Sequence, residues 1–395
     1  MTQLFSTVAA APPDAILGLT EAFNADPNPD KINLTVGVYK DENGVTPILD
    51  AVKKAEQKIL ENESTKGYLA IDGLPDYRDR VRELVFGQTV TSERVAVVQS
   101  PGGTGGLRVA AAFLQANLPQ SRLWMPNPTW ANHPAVFTAA NVPTETYRYL
   151  NGDRTSFDLE GMLAGLGDAK AGDAILLHGC CHNPTGIDPT AEDWKAIAKA
   201  VRERGLLPLI DFAYQGFGDG LEEDATGLRT ILGEVEEAIV CTSFSKNFGL
   251  YSERVGAVSL VAANAEQRDA ALSQLKRIVR TIYSNPPRHG GSIVATILGD
   301  ETLTSQWKTE LEAMRSRITA LRESFVAGME QAGRDFSFLL PQRGMFSFSG
   351  LTPMQVDELR SRHSIYIVGS GRINVAGMTE SKMQLVCDAV ASVME

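Results

Sequence analysis

Six short apolar segments recur between residues 95 and 262, separated by stretches with helical periodicity. Their hydrophobic residues are continuous rather than alternating, which is typical of strands buried on both faces of a parallel sheet. The pattern therefore predicts a doubly wound α/β fold with helices on both faces. The six predicted strands are VAVVQS (95–100), RLWMPN (122–127), AILLHG (174–179), LLPLID (206–211), AIVCTSF (238–244) and VGAVSLVA (255–262).

Two helices are marked clearly by the pattern. In TAEDWKAIAKAVRERG, Thr190 and Asp193 have the spacing of a capping box, and Gly205 suits a left-handed helix end. From Glu301 to about Gly333, apolar residues recur every three or four positions, which predicts one long amphipathic helix. The strand-like pieces FSFLL, MFSFSG, SIYIVG and RINVAG follow, and then a final helix.

Composition and charge narrow the possible partners. The chain has 395 residues, 43% hydrophobic and 22% charged, which is long enough for a large domain and a smaller one, or two of similar size. A net charge of −11 and a pI near 5.1 argue against general binding of nucleic acid or anionic membranes. A local basic pocket for small anions remains compatible with this charge.

The cysteines and the first residues of the sequence indicate the cellular compartment of the protein. The spacing of the four cysteines suggests neither a metal site nor a secreted disulfide framework, so a reducing compartment is expected. The first residues lack the features of a signal or transit peptide, and no apolar run approaches the roughly 20 residues of a membrane span. We expect a soluble, cytoplasmic protein without a metal. The cysteines are Cys180, Cys181, Cys241 and Cys387.

Chemically distinctive residues follow five of the predicted strands. Ligands of doubly wound sheets bind at the carboxyl ends of the strands, so these residues are expected to share one crevice. The first strand leads into the glycine-rich turn 101–106, which opens a helix and can bind a phosphate through backbone N–H groups. The second leads to Trp130 and His133 at the rim, and the third to Asn183.

Charged residues lie at the ends of the last two of these strands. Asp211 ends the fourth, where a buried carboxylate requires a cationic partner or solvent. The fifth leads to Ser243, Lys246 and Arg254. Arg254 and the glycine turn suit a phosphate, and a desolvated Lys246 would have a lowered pKa and act as an amine nucleophile.

Each of these residues has an ordinary explanation when taken alone: a turn, a core tryptophan or a solvated lysine. Together they suit one ligand. Trp130 would cover a flat ring, Asp211 would pair with a ring cation, and Lys246 would form a Schiff base. A phosphorylated, cationic, aromatic aldehyde with these needs is pyridoxal 5′-phosphate, PLP.

The chain resembles the aspartate and aromatic aminotransferase group of fold-type I PLP-dependent enzymes. The resemblance implies an α/β fold with a mostly parallel sheet in a large cofactor domain (46–312) and a smaller α+β domain (1–45 and 313–395). It is carried nearly end to end by INLTVGVYKDENGVTPIL, TKGYLAIDG, PGGTGGLR, HGCCHNPTG, DFAYQGFGDGLEEDA, SKNFGLYSERVG, YSNPP, GMFSFSGL and GRINVAG.

The resemblance also implies roles around the cofactor. Lys246 corresponds to the Schiff-base lysine, and Asp211 to the partner of the pyridinium nitrogen, with His133 behind it. Tyr214 and Asn183 correspond to the groups that bind the ring O3′, and Trp130 to the stacking residue. The implied phosphate ligands are Gly103, Thr104, Ser243, Arg254 and, from the other subunit of a homodimer, Tyr68.

Two arginines are implied to bind the substrate. Arg372 corresponds to the residue that binds the α-carboxylate, assisted by Asn183, and Arg280 to the one that reaches the distal carboxylate from the partner subunit. Gly37 lies in an N-terminal segment that closes over the substrate. Two positions depart from the pattern: Ser252 in the lysine motif, a small residue there, and Arg288 after YSNPP, which adds a charge near the substrate entrance. The latter leaves the substrate preference open.

The implied reaction is transamination between amino acids and 2-oxo acids, with L-aspartate and 2-oxoglutarate as the first hypothesis. Aromatic or dual specificity is the alternative, because such enzymes share both arginines. A PLP-binding protein without turnover is a remote third, which the presence of Lys246, Asp211 and Arg372 disfavours.

Overall fold

A computed structural model describes residues 4–10 and 17–394. Within these residues the helices are α1 (Leu17–Ala25), α2 (Asp50–Asn62), α3 (Pro75–Phe86), α4 (Gly102–Asn117), α5 (Asn132–Thr138), α6 (Leu159–Gly165), α7 (Ala191–Arg204), α8 (Thr226–Glu234), α9 (Ala265–Ile282), α10 (Arg288–Leu298), α11 (Glu301–Gln331), α12 (Pro353–His363) and α13 (Met383–Ser392). The strands are β1 (Ile32–Asn33), β2 (Val95–Pro101), β3 (Leu123–Asn127), β4 (Thr144–Arg148), β5 (Ala174–His178), β6 (Leu207–Phe212), β7 (Ala238–Ser243), β8 (Val255–Val261), β9 (Phe346–Phe348), β10 (Ile365–Tyr366) and β11 (Arg372–Asn374).

The central sheet has seven strands in the order β2-β8-β7-β6-β5-β3-β4. All six strands predicted from the apolar segments are present, within a residue or so of the expected ends. β8 alone pairs antiparallel with both of its neighbours, β2 and β7, while the pairs from β7 to β4 are parallel. The carboxyl ends of β2, β3, β5, β6 and β7 therefore lie along one edge, as the predicted crevice requires.

Both faces of the sheet are buried, because successive side chains point to opposite sides. On β5, Leu176 belongs to one apolar cluster, which includes residues of α4, α5 and α9. Its neighbours Ile175 and Leu177 belong to a second cluster, which includes residues of α7, α8 and α11. Helices thus cover both faces, which confirms the predicted α/β class and explains why the strands are continuously apolar.

The predicted helix signals are present. Thr190 and Asp193 form a complete capping box at the start of α7, and Gly205 ends that helix at φ 63° and ψ 37°. The long helix is α11, which ends at Gln331, two residues before the predicted end. Its side chain Trp307 is fully buried and donates from Nε1 to the carbonyl of Asn247, 2.7 Å away.

Two local expectations differ from the structure. The piece FSFLL is not a strand: Ser337–Leu339 form a single 3-10 turn, with Leu339 buried. β4 was not predicted, because only Tyr147 of its five residues is buried and polar residues surround it. Such a strand at the sheet edge lacks the apolar run by which the other strands are recognised.

Two small sheets contain the strands of the C-terminal third together with one strand from the N-terminal region. β9 pairs antiparallel with β11, and β1 pairs parallel with β10. The segment after β1 is fastened to β11, because Asn374 donates from Nδ2 to the carbonyls of Val36 (2.6 Å) and Val38 (3.0 Å). This fastening places Gly37 beside the end of the large sheet. Among residues 4–10 and 17–394, no helix has the length and apolar character needed to cross a membrane.

Candidate active site

A cavity of about 230 Å³ opens at the carboxyl ends of β2, β3, β5, β6 and β7. Eleven of the thirteen predicted site residues line it, although they are spread over more than three hundred positions of the chain. The residues that follow the strand ends therefore share one cavity, as the strand-end rule predicts. These eleven residues are Gly37, Gly103, Thr104, Trp130, Asn183, Asp211, Tyr214, Ser243, Lys246, Arg254 and Arg372.

Lys246 projects into this cavity from the connection between β7 and β8. Its Nζ lies 4.6 Å from the centre of the Tyr214 ring. Desolvation lowers the pKa of Lys246 to about 8; the charge of Arg254 lowers it further and that of Asp211 opposes the shift. A lysine with this pKa is largely available as a neutral amine in mildly alkaline solution, which is the state a nucleophile needs.

Asp211 is held by a chain of hydrogen bonds that runs through His133 and Thr129 to His178. Its Oδ2 lies 3.0 Å from Nε2 of His133, which is fully buried rather than at the rim as expected. His133 Nδ1 lies 2.8 Å from the Thr129 hydroxyl, which lies 3.0 Å from Nε2 of His178. Burial tends to raise the pKa of Asp211, but the hydrogen bond and the charge of His133, together with other nearby charges such as that of Lys246, outweigh it, so the pKa is lowered. The carboxylate therefore stays ionised, and it can pair with a cationic ring nitrogen.

Tyr214 and Asn183 form the polar side of the cavity. Asn183 Nδ2 donates to the Tyr214 hydroxyl at 3.4 Å, and Asn183 Oδ1 accepts from Arg372 Nη1 at 3.3 Å. Desolvation raises the pKa of Tyr214, so its hydroxyl remains protonated and can donate a hydrogen bond. One amide thus links the residues predicted to bind the ring oxygen and the α-carboxylate.

The first turn of α4 forms an anion cradle with the β7–β8 connection. The helix has no side-chain cap, so its first N–H groups are open to a ligand. Gly102 has φ 72°, and a Cβ there would lie 2.5 Å from Arg254 Nη2, so only glycine allows this approach. Ser243 and Arg254 both contact the Ser245 hydroxyl, at 3.1 and 3.4 Å. Backbone donors, hydroxyls and a guanidinium therefore converge, as a phosphate requires.

Arg372 is a buried cation without an acidic partner among the residues that the structure describes. It is 4% exposed, donates from Nη2 to the Thr35 carbonyl at 2.5 Å, and lies 4.2 Å from the centre of the Phe346 ring. Its Nε is buried and has no hydrogen-bond partner. Desolvation lowers the pKa of Arg372 to about 10, which still leaves it charged at neutral pH. A carboxylate entering the cavity would supply the missing partner.

Tyr68 and Arg280 do not line the cavity. Tyr68 is 95% exposed, and Arg280 lies at the exposed end of α9, where its guanidinium donates to the hydroxyl of Ser284. These are the two residues that the resemblance assigns to the site of a second subunit. Their place outside the cavity of their own chain is compatible with that assignment.

Six further cavity residues were not predicted to act in the site: Leu107, His178, Ala213, Ser245, Tyr251 and Phe346. His178 ends β5 and pairs in register with Asp211 at the end of β6, so the strand-end rule could have found it. Burial lowers the pKa of His178 to about 3, so this ring is neutral. Tyr251 accepts a hydrogen bond from the Tyr39 backbone at 3.0 Å, a long-range contact that no sequence pattern indicates.

A separate buried cluster lies behind the cavity. The thiols of Cys180 and Cys181 and a carboxylate oxygen of Asp224 lie within 4.8 Å of one another. Burial raises the pKa of Cys181 to about 12. At neutral pH this thiol is therefore protonated.

The donor set in the cavity fits PLP. The open N-terminus of α4 with Ser243 and Arg254 suits a phosphate, and ionised Asp211 suits a pyridinium nitrogen. Lys246 offers an amine of lowered pKa to an aldehyde. The unpaired Nε of Arg372 then remains for a second anion, the carboxylate of a substrate.

Comparison with known proteins agrees with this chemistry. The chain is 54% identical to the aspartate aminotransferase of Salmonella typhi over 99% of this chain and all of the relative. It is 47% identical to the aromatic-amino-acid aminotransferase of Pseudomonas aeruginosa, over 98% of each chain. The crystal structure of the aromatic-amino-acid aminotransferase from Burkholderia pseudomallei, covalently bound to pyridoxal phosphate, matches at a TM-score of 0.97 and 44% identity over the full length of both chains. Residues 29–390 match the family described as aminotransferase class I and II, and the chain belongs to this family.

Proposed function

We propose that this aminotransferase uses PLP to transfer the amino group of L-aspartate to 2-oxoglutarate, giving oxaloacetate and L-glutamate. The observation that carries the aminotransferase part of the proposal is Arg372, a buried guanidinium with an unpaired Nε that suits an α-carboxylate as its ligand. Relatives named aspartate aminotransferase at 50 to 54% identity support the choice of substrate.

The residues of the chain would divide the work as follows. PLP, when bound, supplies the aldehyde that takes up the amino group and the ring that stabilises negative charge at Cα. Lys246 Nζ would hold the cofactor and would then accept and return the proton at the substrate Cα. Asp211, which is ionised and hydrogen-bonded to His133, would keep the ring nitrogen protonated. Trp130 would stack on the ring, and Tyr214 would donate to its oxygen.

Phosphate and substrate would be held at opposite ends of the cavity. Gly103 and Thr104 at the start of α4 would bind the phosphate with Ser243 and Arg254. Arg372 and Asn183 would bind the α-carboxylate, since one amide oxygen already orients the guanidinium at 3.3 Å. Gly37, on the segment fastened to β11, would close the substrate side.

The proposed enzyme is a homodimer. Its main support is that Tyr68 and Arg280 lie outside the cavity of their own chain, where a second copy could receive them. Tyr68 would complete the phosphate site of that copy, and Arg280 would bind the distal carboxylate of its substrate. We also propose a large domain (46–312) and a small domain (1–45 and 313–395); residues 1–3, 11–16 and 395 lie outside the described residues.

A cytoplasmic location is also proposed. Its support is the state of the cysteines, all four of which are buried and unpaired. This state suits a reducing compartment.

A second candidate function is an aromatic or dual-specificity aminotransferase. Relatives carrying the name aromatic-amino-acid aminotransferase at 47 and 44% identity favour it. Arg372 and Lys246 serve both functions, so the cavity does not separate them.

The substrate proposal predicts a preference for dicarboxylates. We expect kcat/KM for L-aspartate to exceed that for L-tyrosine and L-phenylalanine by about tenfold or more, because only a dicarboxylate uses both arginines. Steady-state assays with 2-oxoglutarate as the acceptor measure this ratio. A higher value for tyrosine would instead establish the aromatic function.

Replacement of Arg372 by lysine should weaken every amino-acid substrate. A point charge cannot reproduce the paired geometry, so kcat/KM should fall by about 10- to 100-fold for aspartate and phenylalanine alike. Arg322→Lys is a matched control: Arg322 is equally buried but donates to Ser347 and to the Gly344 carbonyl, away from the cavity. Equal kinetic losses in the two variants would contradict the role of Arg372.

The pKa of Lys246 predicts how cofactor attachment depends on pH. The protonated amine is unreactive, so covalent attachment of PLP to the cofactor-free chain should accelerate as pH rises through about 8 and then level off. Asp211→Asn should move this inflection below 8, because the Asp211 charge raises the pKa of Lys246. Stopped-flow absorbance measures the rate; an inflection near the ordinary lysine value of 10.5 would show that the amine is solvated.

The proposal that two subunits share their active sites can be tested by mixing two variants that each have little or no activity toward aspartate. Lys246→Ala should abolish turnover, and Arg280→Ala should reduce aspartate turnover strongly while affecting phenylalanine much less. Random reassociation gives half heterodimers, each with one intact site, so the mixture should regain about a quarter of wild-type aspartate activity. Absence of recovery in a mixture that size-exclusion and mass measurements show to contain heterodimers would mean that Arg280 does not act across subunits.

A further inference from the structure

Tyr68 and Arg280 lie on separate segments that are tied together by buried polar contacts. Tyr68 lies in the extended segment before α3, and Arg280 in the last turn of α9. The residues that join these segments do not line the cavity. The following inference deepens the proposed function and rests on the proposed role of Arg280.

Asp72 forms the first tie. It is 4% exposed, and its Oδ2 lies 3.1 Å from Lys276 Nζ and in closer contact with Arg78 Nη1. Lys276 precedes Arg280 by one helical turn on the same side of α9. A carboxylate that is buried between two cations is costly to disturb. The contact between Asp72 and Lys276 therefore fixes the last turns of α9 relative to the segment that contains Tyr68.

Gln99 forms the second tie. It is 1% exposed and lies at the end of β2. Its Oε1 accepts from the Leu74 backbone at 3.2 Å, and its Nε2 donates to the Pro287 carbonyl at 2.9 Å. Its own backbone N–H donates to the Asp72 carbonyl at 3.1 Å. One buried amide thus connects the chain around Asp72 to the turn that follows α9.

The third tie lies beside the exposed residues themselves. Asn285 donates from Nδ2 to the carbonyl of Leu69, 2.9 Å away and next to Tyr68 in the chain. Arg280 donates to Ser284, which adjoins Asn285. Arg280 has no acidic partner among the described residues, whereas Lys276 is neutralised by Asp72. Asp72 therefore neutralises the neighbouring cation, Lys276. The guanidinium of Arg280 stays charged and available to bind an anion.

We propose that Asp72 is a positioning residue for substrate specificity, because it fixes α9 so that Arg280 meets the distal carboxylate of a dicarboxylate substrate in the site of a second copy. Asp72 itself touches neither substrate nor cofactor. Its contribution is the orientation of a guanidinium that is otherwise held by one hydroxyl. Misplacement of such a group by about 1 Å can cost up to two orders of magnitude in rate.

The direction in which Asp72→Asn changes dicarboxylate binding distinguishes a positioning role of Asp72 from a purely electrostatic one. Asp72→Asn removes a negative charge near Arg280, so a through-space effect alone would strengthen the binding of a dicarboxylate. Loss of positioning has the opposite sign and weakens it. A general loss of folding would reduce activity toward all substrates together.

The test compares kcat/KM for L-aspartate and L-phenylalanine in the dimeric holoenzyme. We expect Asp72→Asn to lower the value for aspartate by between about tenfold and 100-fold and the value for phenylalanine by no more than about threefold. Asp79→Asn is the matched control: it removes an exposed ion pair with Arg82, 2.9 Å long, on the neighbouring helix α3. This control should leave the aspartate-to-phenylalanine ratio unchanged.

A double-mutant cycle links the effect to Arg280. In the Arg280→Ala background, Asp72→Asn should change the ratio no further, because the group it positions is gone. An equal loss for both substrates, a gain for aspartate, or a full additional loss in that background would overturn the proposal. If Asp72→Asn does not fold, Lys276→Met breaks the same tie from the half-exposed side; an unchanged ratio there would likewise overturn it.

The cycle also separates this inference from the proposed function. If Arg280→Ala itself leaves the aspartate-to-phenylalanine ratio of kcat/KM unchanged, Arg280 does not bind the distal carboxylate and this part of the proposed function fails. If Arg280→Ala lowers the ratio and Asp72→Asn does not, only the positioning role of Asp72 fails.

Discussion

The site depends on an excess of positive charge held at the end of a buried sheet. Lys246, Arg254 and Arg372 line a cavity to which Asp211 contributes the only carboxylate among the described residues. In a chain with a net charge of −11, this local reversal is costly unless anions enter. In the proposed function, a phosphate at one end and a substrate carboxylate at the other would compensate the charge. The cavity therefore prefers anionic ligands because it contains unpaired cations.

The direction of one strand brings two of these cations together. β8 runs antiparallel to β7, so the connection between them leaves and re-enters the sheet at the same edge. Lys246 follows the end of β7, and Arg254 directly precedes the start of β8. A parallel crossover would have carried Arg254 to the far edge of the sheet. This short return also explains why the charge of Arg254 reaches Lys246 and lowers its pKa.

Sequence reasoning located the fold and the cavity because both follow from strong local signals. Continuous apolar strands and the residues at their carboxyl ends predicted the sheet and the positions of Asp211 and Lys246. It missed β4, whose exposed polar residues carry no apolar run, and read the aromatic-rich FSFLL as a strand where a 3-10 turn forms. Contacts between distant segments, such as Tyr251 with the backbone of Tyr39, leave no local pattern and require the folded structure.

The two arginines proposed to bind carboxylates are fixed in different ways, and this difference bears on how specificity arises. Arg372 is buried and oriented by Asn183, Thr35 and the Phe346 ring, all within the chain. Arg280 is exposed, and its role in the proposal requires both a second copy and the ties around Asp72. Recognition of an α-amino acid is then a property of the folded chain, whereas recognition of its side chain is a property of the assembly. On this view the cavity can stay constant while side-chain preference changes, which accounts for aspartate and aromatic-amino-acid aminotransferases among relatives of similar identity.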